Sequence, residues 1–68
     1  MNKARLKNNI VKYSKDKTQA DLAREIDVTQ VSICRWFSGQ RVPHLLGAYR
    51  LCKALGITVE QLMEGVDE

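Results

Sequence analysis

Residues 18–43 read TQADLAREIDVTQVSICRWFSGQRVP, and their spacing predicts two short capped helices joined by a tight turn. Thr18 stands where an N-cap oxygen is needed, with Asp21 three residues on, beside the exposed amides. Leu22, Ala23 and Ile26 then share one helical face. Asp27 falls at the turn, and Asp is one of the few non-glycine types that tolerates a left-handed backbone. Thr29 caps the second helix, whose inner positions are Ile33 and Trp36 at i, i+3, with Val28 just ahead. Gly39 closes that helix and Pro43 forbids simple continuation. What remains of its surface is Gln30, Val31, Ser32, Cys34 and Arg35.

Outside this stretch the chain reads as helices again. A first helix spans about residues 2–14, with Leu6, Ile10 and Tyr13 as its inner stripe. The polar run Ser14-Lys15-Asp16-Lys17 connects it to the pair at roughly 18–26 and 29–38. A fourth helix, about 44–55, places Leu45, Ala48, Leu51, Cys52 and Leu55 on one face and ends at Gly56. Thr58-Val59-Glu60-Gln61 is a capping box for a fifth, which carries Leu62 and Met63 and stops at Gly65. Gly47 inside the fourth helix costs about 1 kcal/mol relative to Ala, and close helix packing is the one reason the sequence offers for it. The expectation is an all-α, compact five-helix domain over residues 1–68.

Composition agrees. Sixty-eight residues make one small domain, for which oligomerisation would help stability. No apolar run approaches a membrane span and no signal peptide opens the chain, because Leu6 to Val11 is broken by Lys7, Asn8 and Asn9. A cytoplasmic protein with no membrane partner is expected. Two cysteines make no disulfide framework, and Cys34 and Cys52 with the single His44 form no zinc signature, so neither metal nor cofactor is expected. The net charge of +3 hides an asymmetry. Residues 1–53 carry all eleven Lys and Arg against four acids, and residues 54–68 carry four acids and no base. A basic body with an acidic end points to a polyanion on one face and another role for the C-terminus.

Several residues carry a resemblance to the Cro/repressor-type (lambda-repressor-like, XRE) helix-turn-helix DNA-binding family. They are Thr18-Gln19, Leu22-Ala23, Val28-Thr29-Gln30, Ile33 with Arg35-Trp36, Ser38-Gly39-Gln40-Arg41 with Pro43, and Leu55-Gly56-Ile57. The likeness runs from about Leu6 to Met63, with the helix-turn-helix itself at about 18–38. It implies sequence-specific binding in the major groove of double-stranded DNA, usually as a homodimer on a two-fold operator. The pattern departs at Asp27, where glycine is usual, at Phe37, often acidic, and at His44, often serine.

Chemistry assigns roles to the exposed face of the third helix. Gln30 can pair bidentately with adenine, Arg35 can reach guanine or phosphate, Val31 suits a thymine methyl, and Ser32 serves base edge or backbone. Any one of these alone is an ordinary exposed helix position; together they make a reading surface. Phosphate contacts should flank it, positioning without specifying. Gln19, whose amide opens the second helix, and the loop residues Lys17, Gln40 and Arg41 are the candidates. Ile57, Val59, Met63 and Val66, hydrophobes gathered around the fifth helix at the acidic end, are the candidate dimer interface. Cys52 and Trp36 read as core, and Cys34 and His44 as surface residues without a partner set. No nucleophile with a base, paired carboxylate or phosphate-cradling glycine loop is present, so no enzyme is expected. The expected function is a Cro-like or prokaryotic repressor; an antitoxin-like or adaptor module with secondary DNA binding is the alternative.

Overall fold

The computed structural model describes residues 2–67; Met1 and the last acidic residue, Glu68, lie outside the described residues. Five helices follow in order: α1 (Lys3–Tyr13), α2 (Gln19–Ile26), α3 (Gln30–Ser38), α4 (Leu45–Leu55) and α5 (Val59–Leu62). There is no strand among the described residues.

Local chemistry sets the boundaries. Thr18 accepts from the Asp21 amide at 3.1 Å while Asp21 accepts from the Thr18 amide at 3.3 Å, a reciprocal box that opens α2. Thr29 accepts from the Ser32 amide to open α3, and Thr58 with Gln61 forms a second box on α5. Gly39 and Gly56 close α3 and α4 in the left-handed conformation, at φ 81° and 71°. Asp27 does the same for α2 without being glycine, at φ 57°, ψ 50°. His44 takes over the cap that serine often supplies. Its Nδ1 accepts from the Gly47 amide at 3.1 Å and opens α4.

The inner faces meet in one core of Leu6, Ile10, Leu22, Ala23, Ile26, Ile33, Trp36, Leu51, Cys52, Leu62 and Val66. The α3 helix packs on α1 and α2, α4 on α2 and α5, and α5 on α1, so the five elements close a ring. Two residues of α1 depart from the stripe read in the sequence. Tyr13 is only half-buried, and Asn9 takes the inner place on α1 instead. Two N–H groups of Asn9 donate to the carbonyls of Leu62 and Glu64, at 2.8 and 2.9 Å. Those carbonyls lie at the end of α5, where a helix leaves acceptors without intrahelical donors. Glu64 also accepts from Arg5 Nε at 3.2 Å, and the Asn2 amide donates to the Val66 carbonyl at 2.7 Å.

Candidate nucleic-acid interface

Two anchors orient α3. Ile33 is fully buried and Trp36 nearly so, which turns the opposite side of the helix outward. Gln30, Val31, Cys34 and Arg35 are exposed on that side. Ser32 is half-buried, and its hydroxyl lies 3.0 Å from the Thr29 hydroxyl at the cap. Gln30 is the first residue of the helix, so it stands beside the positive end of the helix dipole. Cys34 follows Gln30 by four residues and Val31 by three, the helical spacing of neighbours on one face.

The flanking candidates differ from one another. Gln19 is the first residue of α2 and is half-buried. Gln40 and Arg41 are exposed, but their backbone is held: both amides donate to the Arg35 carbonyl, at 3.0 and 3.3 Å. The loop after α3 is thereby tied to the helix that carries Arg35. Lys17 is not a free cation. Its ammonium donates to both carboxylate oxygens of Glu25, at 2.8 and 2.7 Å. Arg24, on the same helix as Glu25, is likewise paired with Asp21 at 2.7 Å. Hydrogen bonding from the Thr18 side chain and amide, reinforced by Arg24, holds the Asp21 carboxyl below the usual carboxylate range.

The residues at the acidic end separate by burial. Val66 has no exposed surface and belongs to the protomer's own core, so its side chain offers nothing to a partner. Ile57 and Met63 are half-buried against that core, whereas Val59 is 45% exposed. The apolar surface that does reach solvent lies at the start of α4. Leu45 is 86% exposed, Leu46 52% and Tyr49 53%, and with Ala48 and Val59 they line one apolar concavity. The stripe reading of α4 missed it, because Leu45 was counted with the inner positions and Leu46 and Tyr49 were not weighed. The adjacent pair Leu45-Leu46 at a helix start, with Tyr49 three residues beyond Leu46, was the available signal.

A family model described as "Helix-turn-helix" matches residues 4–62, nearly the whole chain, and its type is that of the XRE, Cro/cI-like regulators. The chain belongs to this family. No curated protein and no solved structure matches it. As a helix-turn-helix regulator the protein binds DNA, with α2 and α3 forming the bihelical unit. No helix among the described residues is long and apolar enough to cross a membrane.

Proposed function

We propose that the protein is a cytoplasmic transcriptional repressor that reads a two-fold operator as a homodimer, with α3 in the major groove. The observation that carries this reading is the division of α3 into a face fixed by Ile33 and Trp36 and an exposed face bearing Gln30, Val31 and Arg35. A rigidly seated helix with bidentate-capable side chains at its first residue, Gln30, and in its last turn, Arg35, suits base-edge contact. Gln30 would read adenine, Val31 a thymine methyl and Arg35 guanine or phosphate, with Ser32 serving the cap and the backbone. Gln19, Gln40 and Arg41 would set position through phosphate, whereas Lys17, already clasped by Glu25, would add little.

Support for the dimer comes from Leu45, Leu46, Tyr49 and Val59. Apolar side chains gathered on one face of a small domain mark a surface that a partner covers. An isologous pairing through this face and the adjoining Ile57 and Met63 would set two α3 helices on half-sites about one helical turn apart.

Duplexes selected from a random pool by the wild-type protein supply the test. Gln30→Ala and Arg35→Ala should each weaken binding to the selected duplex by about 1–3 kcal/mol. Gln30→Ala should leave binding to random duplex nearly unchanged. Equal weakening on both would remove Gln30 from base reading. Leu46→Glu should abolish cooperative binding with helicity intact, and a wild type that sediments as a monomer on an isolated half-site at every concentration would rule out the dimer.

A further inference from the structure

The cations around α3 are not equivalent, and the difference divides its two edges. On the α2 edge, Lys17 is clasped by both oxygens of Glu25 and Arg24 by Asp21. A cation already satisfied by a carboxylate gives little net field to a phosphate and releases little counterion on binding. On the opposite edge, α1 crosses the end of α3. The β, γ and δ carbons of Lys7 each lie 3.8 Å from where a Cβ on Gly39 would stand. Gly39 presents no side chain there, so the Lys7 stem packs along the closing turn of α3. Neither Lys7 nor Arg41 forms an ion pair among the described residues.

We infer that the cationic contacts to DNA phosphate are made on this one edge, by Lys7 of α1 together with Arg41, and that Lys7 is a positioning residue for the duplex. The inference rests on the DNA reading of α3 given above. Three observations support it. The Lys7 stem is half-buried, so part of its side-chain freedom is already lost before a phosphate immobilises the head. Gly39, on which it lies, begins the loop whose Gln40 and Arg41 amides are fastened to the Arg35 carbonyl. Lys7, Arg41 and the base-facing Arg35 therefore share one rigid mount. The α2 edge, meanwhile, is neutralised.

A lysine near the end of α3 also complements the negative pole of that helix, and this purely structural role makes a different prediction. Lys7→Met keeps the stem and removes the charge, so it separates the two. Binding to a selected duplex is measured against salt for the wild type, Lys7→Met, Lys7→Arg, Arg41→Met and Lys17→Met, with thermal midpoints alongside. The slope of log K on log salt should become shallower by about 0.9 in Lys7→Met and in Arg41→Met. It should stay at the wild-type value in Lys7→Arg and change by less than half as much in Lys17→Met. A Lys7→Met slope equal to that of a steep wild type overturns the inference, as does a lowered midpoint with an unchanged slope. A full loss of slope in Lys17→Met overturns the one-edge assignment. A wild type that binds no duplex at low salt overturns the DNA reading itself.

Discussion

Gly47 lies directly against Trp36: a Cβ built on it would stand 3.1 Å from Cη2 and 3.3 Å from Cζ2 of the indole. This is the reason for a glycine in the first turn of α4. The ring is 5% exposed and wedged in the core, so it has little room to yield. Gly47→Ala should therefore destabilise the fold. Overpacking of about 1–3 kcal/mol outweighs the roughly 1 kcal/mol that Ala gains in helix propensity. Urea unfolding followed by tryptophan emission checks this, and an unchanged or raised midpoint would show that the indole shifts freely.

The Asn9 amide is the second place where one side chain does what no neighbour can. Asn9→Ala leaves the Leu62 carbonyl without its donor and the Glu64 carbonyl with Arg5 alone. The expected loss is about 2–3 kcal/mol, from two hydrogen bonds and a buried acceptor left unpaired. A loss below about 0.5 kcal/mol in chemical denaturation, within the range of an ordinary surface change, would mean that water replaces the amide without penalty.

Those two positions also mark what the sequence could and could not reveal. The caps at Thr18, Thr29 and Thr58 and the closures at Asp27, Gly39 and Gly56 obey rules that span three or four residues, and each was readable. The outward face of α3 followed by subtracting Ile33 and Trp36. Asn9 was passed over, and Val66 was read as interface, because their places depend on contacts with the far end of the chain, more than fifty residues away. Lys17 read as free because its partner Glu25 lies eight residues on, across a turn, beyond the helical i, i+4 reach. His44 looked partnerless because an imidazole is rarely weighed as an N-cap, although it stands one residue before α4.

The two cysteines should report on the interface. Cys34 is exposed on the outward face of α3, whereas Cys52 is 3% exposed, donates to the Thr58 carbonyl at 3.7 Å, and has its thiol pushed up by burial. A maleimide should label the native protein once, at Cys34. Adding a selected duplex should slow that labelling by an order of magnitude or more, with random duplex giving far less protection. Equal labelling rates with and without the selected duplex would place Cys34 outside the groove.

Acid should loosen the start of α2. The carboxyl of Asp21 titrates lower in the folded chain than in the unfolded one, so the unfolded state binds the proton more readily. The contribution is complete above the ordinary carboxylate range and is lost as pH falls from there through the lowered folded value. Asp21→Asn should flatten the acid limb of the midpoint-against-pH curve without changing its shape above pH ~6. Superimposable acid limbs would show that the capping box carries no pH dependence.

The hydrogen bond from Asn2 to Val66, with Asn9 and Arg5 gripping the turn after α5, has a consequence for synthesis. α1 packs on α3, but Arg5 and Asn9 find their acceptors only in the stretch from Leu62 to Glu64. Nascent chains stalled before residue 62 lack the acceptors that Asn9 needs and the side chain of Val66 that completes the core. The bihelical unit, complete by Ser38, is then left on an open scaffold. Protease resistance of the domain is therefore expected only once the turn after α5 has emerged from the exit tunnel.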